Sequence, residues 1–386
     1  MWATINSSDI NNPIAQVFVG EQIDLNHFLA SVGLDKLQRA RNIASDPYAA
    51  AKFHHFIINT IFETLFGISV TKFQVKSSMG VLGELAVYFG LDEVQNRGSI
   101  HLHVLLWHCH APSPNEILKL LQSEAFHVKV IAYIDANFRA YLPGFDNKES
   151  VKAIPKDLEV SFNRPPVPHS TNYKRQLDDL ELHVARVEQV HECKKGRCLV
   201  AQWDGSVVCK RKVLFEITKE TYVNEDGRCG PKRLYGQMNS WIPHLTVNVL
   251  CNNDSKFLTN GCDASNITHY VTSYATKKQG KSPNASAVMA RGYAYHLAHP
   301  NHTYAEHIHD QQRLLLFRLV NSMNLEQEIA GPLVMLYLMG WGDQHKSHTY
   351  TPVYWSSFTT ALLKTFPALR QLERHPETHQ QGPLIE

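Results

Sequence analysis

The segment Glu93-Val94-Gln95-Asn96-Arg97-Gly98-Ser99-Ile100-His101-Leu102-His103-Val104-Leu105-Leu106-Trp107 decides how the rest of the chain is read. His101 and His103 stand two apart and lead into an apolar run, so they occupy one face of a β-strand. Asn96 to Ser99 supply turn residues, and Gly98 is free to take a positive φ. Glu93 and Gln95 are also two apart on the preceding segment. A register that sets Gln95 opposite His101 sets Glu93 opposite His103, and all four side chains then share one face. Two imidazoles with a carboxylate or an amide on adjacent strands make an open site for a divalent metal. Parity does not choose between Glu93 and Gln95, although a hard cation favours the carboxylate.

The chain holds 22 His, and the His-x-His pattern occurs three times, so the pattern alone is a weak signal. His108 and His110 follow the same strand and stand next to Pro112, at its frayed end. His307 and His309 lie in a helical segment, where residues two apart point in different directions. Only His101 and His103 combine strand context with a preceding acidic strand. The plain alternative is a pair of histidines packed on a sheet surface.

With 386 residues, 44% of them hydrophobic, the chain suffices for one large domain or two smaller ones. No apolar run approaches a membrane span and no signal peptide is present. A net charge of +2 gives no whole-chain electrostatic argument for nucleic acid. The distribution says more, because Lys194 to Arg233 holds ten Lys/Arg against five Asp/Glu. Such a basic face neutralises phosphates, or is simply a solvated loop region. Within the same span lies His191-x-Cys193-x4-Cys198-x10-Cys209. Three thiolates and an imidazole suit a closed tetrahedral zinc site, with Cys229 as the reserve ligand. Reduced cysteines in a basic loop are the competing reading.

Taken in order, residues 2–6 read as a strand and Asp24 to Leu37 as a helix. Asp46-Pro47 opens a further helix that carries Phe53, Phe56, Ile57, Ile61 and Leu65 at helical spacing and stops at Gly67. This stripe is core packing. Val81 to Phe89 alternates as a strand that ends at Gly90. Ser113-Pro114 starts a helix, and Ala125 to Phe145 reads as mainly helical. Asn163 to Pro168 is a loop or linker. Trp241 to Leu250 alternates and reads as a strand. Asp263 or Ser265 is expected to cap the next helix, on which Ile267, Tyr270, Val271 and Tyr274 recur at helical spacing. Gly280-Lys281-Ser282 resembles the tail of a phosphate loop, but Ala275 replaces the leading Gly and a helix precedes it, so a nucleotide site is rejected. Segments 312–323, 327–339 and 358–372 read as helices.

Tyr270 and Tyr274 are four apart, so on a helix they share a face. Two half-buried aromatics are the plain reading of that spacing.

Together, "EVQNRGSIHLHVLLW" and "HYVTSYATKK" resemble the replication-initiator, or HUH endonuclease, region of Helitron transposases of the fungal type. "EQEIAGPLVMLYLMGW" and "YTPVYWSSF" are similar to the same group. The order of motifs also fits: a first motif entered part-way at Trp2, the histidine motif, a Cys/His segment, then the tyrosine helix. The resemblance implies an α+β fold, with an HUH-type central antiparallel sheet flanked by helices, a Cys/His-rich insertion and a helical C-terminal extension. It implies boundaries at 1–180 and 236–290 for the two parts of the nuclease domain, 181–235 for the zinc-binding insertion and 291–386 for the extension. It further implies Mg or Mn at His101, His103 and Glu93 or Gln95, and structural Zn at His191, Cys193, Cys198 and Cys209. Tyr270, Tyr274 and Lys277 are then the catalytic candidates, with Lys277 on the departing oxygen, and single-stranded DNA at transposon ends is the partner. No Walker-type helicase sequence is present, and a nuclear location is expected. Two further readings stay open: a catalytically inactive, truncated nucleic-acid-binding relic, and a hydrolytic metalloenzyme that uses the same histidines.

Overall fold

A computed structural model describes residues 1–28, 33–71, 73–94, 98–194, 196, 198–209, 214–275, 285–299, 308–325, 329–349, 351, 354–367 and 369. The chain forms two compact units, Met1–Ser347 and His348–Glu386. The described part of the second unit contains the helix Trp355–Thr365.

The first unit is a mixed helix-and-sheet structure built on an antiparallel sheet. Its strands are β1 (Trp2–Asn6), β2 (Met79–Gly80), β3 (Gly83–Val94), β4 (Ile100–His108), β5 (Asn252–Lys256) and β6 (Gln344–Lys346). The order across the sheet is β5-β1-β4-β3-β6, with the short β2 also paired to β3. The hairpin β3–β4 is thus flanked on one side by the chain's first strand and on the other by a strand from its last fifty residues. Sequence neighbours form the centre, and distant segments complete it.

Alternation gives the two faces different contents. Ala3, Ile5, Leu102, Val104, Leu106 and Tyr88 point into the main core. Over them pack Phe53, Ile57, Ile58 and Ile61 of the helix Pro47–Thr60 and its π-helical continuation. As the sequence implied, Pro47 opens this helix and the Asp46 side chain accepts from the Ala49 N–H. Phe56 leaves the expected stripe and is 43% exposed, lying edge-on to Phe18 instead. The other face of the sheet carries a smaller cluster of Trp2, Leu91, Leu105 and Val271. Val271 belongs to the helix Gly261–Ala275, so this helix lies on the face that also bears His101 and His103.

Several elements differ from the sequence reading. Residues 243–249 are a helix with Pro243 at its start, and the strand comes afterwards, at Asn252–Lys256. Apolar alternation in Trp241 to Leu250 misled because the segment is buried on several sides. The true strand, Asn-Asn-Asp-Ser-Lys, is polar and joins the sheet edge through its backbone. Segment 24–37 is not one helix: residues 25–27 form a turn, and the helix begins at Lys36 with Asp35 as its cap. The tyrosine helix starts at Gly261, and its cap is Asn260, whose side chain accepts from the Asp263 N–H at 2.6 Å. β3 runs straight through Gly90. A Cβ there would lie 2.7 Å from Leu102 Cδ1, so any side chain at this position would have to displace the buried Leu102.

Candidate metal and tyrosine site

Val94 pairs with Ile100, so Glu93 stands opposite His101 and Leu91 opposite His103. This corrects the expected register, which set Glu93 against His103. The last pair, Val94 with Ile100, lies one residue earlier on each strand than Gln95 with His101, and Gly98 takes φ +85° in the connection. Gln95 lies outside the described residues. The change of register keeps parity, so Glu93 still shares a face with both imidazoles. Its Oε2 lies 3.1 Å from His101 Nε2 and 3.2 Å from His103 Nε2.

The three side chains therefore aim one ligand atom each at a common point, all within 4.8 Å of one another. Two ligands about 2.1 Å from a cation at a right angle are about 3.0 Å apart. The observed separations match that edge. Both histidines are buried, at 5% and 3% exposure. His103 is held by Thr4 of β1, whose Oγ1 lies 2.9 Å from Nδ1. Support of that kind fixes which ring nitrogen turns to a metal. His101 Nδ1 has no hydrogen-bond partner among the described residues.

Tyr270, from the other motif, borders this group. Its ring is 5.7 Å from the His103 ring and edge-on to it, and 6.0 Å from Trp2. The residue is 38% exposed, so it is not sealed in the core. Ile267 and Val271, one turn apart, dock the helix on the sheet, and Tyr270 sits at the edge of that contact. Tyr274 lies on the same helix, but its side chain is outside the described residues, as is Lys277 altogether.

The Cys/His segment brings four side chains together. His191 Nε2 is 3.4 Å from both Cys193 Sγ and Cys209 Sγ, and Cys198 joins the same group. A tetrahedral zinc with ordinary Zn–N and Zn–S bonds sets such atoms about 3.6 Å apart. A two-stranded hairpin, Leu199–Ala201 with Val207–Cys209, delivers Cys209 by pairing it with Leu199. The Lys194 N–H points at Cys198 Sγ at 3.2 Å, a contact that stabilises a thiolate. Desolvation and the adjoining Cys209 and Cys198 push the Cys193 thiol up to about 11, a repulsion that a bound cation would relieve. Cys229 is elsewhere, with its sulfur on Phe257 and Thr259.

A third group escaped the sequence reading. Asp92 points to the opposite face from Glu93, and its two oxygens meet His54 Nε2 at 2.8 Å and His345 Nε2 at 2.9 Å. His54 in turn meets Ser7 Oγ through Nδ1 at 3.3 Å. Burial alone would raise the Asp92 carboxyl, but the two histidines hold it well below the usual range. Burial likewise works to lower His345, and Asp92 overcomes it and raises it. This group ties the helix Pro47–Thr60, β3 and β6 together. Only the odd parity of Asp92 relative to Glu93 hinted at it.

The sheet and its site define a class: an α+β protein with a two-histidine, one-carboxylate group on a central hairpin, faced by a tyrosine-bearing helix. Residues 1–106 match the family described as the Helitron helicase-like domain at the N-terminus. The first 106 residues, from β1 nearly to the end of β4, are thus those of a Helitron helicase-like N-terminal domain, and Glu93, His101 and His103 all fall inside the match. No curated protein and no solved structure matches the chain. No helix among the described residues is long and apolar enough to cross a membrane.

Proposed function

We propose that this chain is a Helitron-like, HUH-type endonuclease that nicks and rejoins single-stranded DNA in rolling-circle transposition, acting in the nucleus. The observation that carries the reading is the approach of Tyr270 to His103, on the same sheet face as Glu93 and His101. A phenol is a poor nucleophile near neutral pH, because its ordinary pKa is about 10. It needs a phosphate whose charge is offset and whose position is fixed. A Mg or Mn ion held by Glu93, His101 and His103 would supply that charge and polarise the phosphate.

Tyr270 then attacks phosphorus and loses its proton. The bond to the 3′ oxygen breaks, and that oxygen takes up a proton. A 5′-phosphotyrosine and a 3′-hydroxyl result. The phosphodiester energy is kept in the tyrosine ester, so a 3′-hydroxyl can reverse the step and rejoin strands without ATP. Tyr274, one turn along the helix, is the candidate for the second linkage, and Lys277 for stabilising the leaving oxygen. A zinc ion at His191, Cys193, Cys198 and Cys209 would hold the hairpin Leu199–Cys209 in place for DNA.

The test is incubation of the chain with labelled single-stranded DNA and Mn, followed by denaturing electrophoresis. A covalent protein–DNA adduct lost in Tyr270→Phe supports the reading. DNA retained without any adduct marks a binding protein that does no chemistry. Cleavage without an adduct marks a hydrolytic metalloenzyme.

A further inference from the structure

The hairpin that delivers Cys209 leaves the Cys/His group as a two-stranded ribbon, Leu199–Ala201 against Val207–Cys209. Cys198 is buried at its foot and Cys209 is half-buried, whereas residues 200–208 are all exposed. A ribbon without a core of its own is marginal in water, so the Cys/His group is its anchorage. At the tip, the Gly205 N–H donates to the Gln202 carbonyl at 3.1 Å and the Gln202 N–H to the Ser206 carbonyl at 2.8 Å. The Asp204 side chain accepts from the Ser206 N–H at 2.9 Å, and Gly205 takes φ +81°. Asp204 and Gly205 thus supply the turn chemistry. Trp203, the first central residue of the turn, is not needed for it, and its indole lies in water, the residue being 97% exposed. Val200, Val207 and Val208 beside it are exposed as well. Neither turn nor core accounts for so much apolar surface at one tip, and such a patch marks a contact with another molecule.

The surrounding sequence selects the partner. Residues 194–212 hold six Lys/Arg and one acidic residue, Asp204, whose carboxylate is engaged in the turn. Five of the six, Lys195, Arg197, Lys210, Arg211 and Lys212, stand within three residues of Cys198 or Cys209 in the chain. That balance favours a polyanion. A nucleic-acid strand with unpaired bases also satisfies the indole, because every base offers a flat π face, and in a duplex both faces are already stacked. We propose that Trp203 stacks on an unpaired base of single-stranded DNA while the basic stretch meets its phosphates. The assignment rests on the single-strand-DNA reading above and adds a contact that the chemistry at Tyr270 does not need.

The test measures binding of the full chain, supplied with zinc but not Mn, to labelled oligothymidylate by fluorescence anisotropy over a range of salt concentrations. A duplex of the same length and vesicles of phosphatidylserine and phosphatidylcholine are the comparison probes. Trp203→Ala is expected to weaken oligothymidylate binding about tenfold or more, and Trp203→Phe, which keeps a ring, by less than about threefold. Trp203→Leu, apolar but without a π face, is expected to behave as Trp203→Ala. The salt slope is expected to be the same in every variant, since the phosphate contacts are untouched. Position 203 is an exposed turn residue, so circular dichroism spectra and zinc content are expected to stay unchanged. Equal binding by the native chain and Trp203→Ala overturns the stacking contact and leaves the nuclease reading standing. A Trp203→Leu variant that binds like the native chain marks a plain apolar contact and also overturns it. An equally large loss on the duplex marks a ribbon lying in a groove and overturns it as well. Vesicle sedimentation that depends on Trp203, with oligothymidylate binding unaffected, overturns it in favour of a membrane surface. A native chain that binds no oligothymidylate overturns both readings. Trp203-dependent binding without any tyrosine-linked adduct supports the stacking contact and overturns the nuclease.

Discussion

Tyr270 lies edge-on to His103 with ring centroids 5.7 Å apart, although one residue sits on a helix late in the fold and the other on its central hairpin. The contact exists because Ile267 and Val271 dock the helix on Trp2, Leu91 and Leu105, the apolar continuation of the histidine face. The Glu93, His101 and His103 group and Tyr270 are thus joined by packing. Val271→Ala is expected to cost on the order of 2 kcal/mol and to loosen this helix. Thermal unfolding measures the first effect, and hydrogen exchange along Gly261–Ala275 the second.

Glu93→Gln and His103→Ala are expected to remove divalent-cation binding and leave the fold intact. Thr4→Val is a subtler variant, since it removes only the hydroxyl beside His103 Nδ1. It is expected to weaken Mn affinity about 10–100-fold. Isothermal titration with Mn checks all three, and unchanged affinity in Glu93→Gln contradicts the assignment.

How much of this was legible in the sequence follows from what each signal depends on. The parity of His101, His103 and Glu93 is local, so the shared face could be read directly. The register could not, because it turns on where in the chain the connection begins, and parity is the same for both placements. The Cys/His group was legible because its ligands lie close together in the chain. The Asp92, His54 and His345 group was not: His54 hides in a core helix, and His345 arrives on a strand that joins the sheet from far along the chain. Nor was β5, whose polar sequence enters an edge by backbone pairing and by side-chain hydrogen bonds of Asn253 and Lys256 with Ile242 and Asp263.

One zinc per chain is expected at His191, Cys193, Cys198 and Cys209 by elemental analysis. Cys193→Ser or Cys209→Ser should abolish it. Zinc binding displaces protons from thiols, so affinity should fall as pH drops from 8 to about 6. Chelation should expose the hairpin Leu199–Cys209 to proteolysis while the Mn site at Glu93 stays intact. Zinc retained by both variants would contradict the site.

The buried Asp92 group should show in stability. His345 has a raised folded pKa, so its contribution is fully present below its ordinary value of about 6.5 and is lost as pH rises through the raised one. Melting temperature is therefore expected to fall across that alkaline window in the native chain and less so in His345→Gln. Asp92→Asn, which leaves two buried imidazoles without their carboxylate, is expected to destabilise by about 3–5 kcal/mol. Identical pH profiles for the native chain and His345→Gln would contradict this coupling.

The most direct measurement of the central claim is mass spectrometry of the protein after incubation with single-stranded DNA and Mn. The expected result is a peptide from Gly261–Ala275 carrying a 5′-linked nucleotide on Tyr270 or Tyr274, absent in Glu93→Gln and in the Tyr270→Phe/Tyr274→Phe double variant. DNA binding without any tyrosine-linked nucleotide, under conditions where Mn is bound, would contradict it.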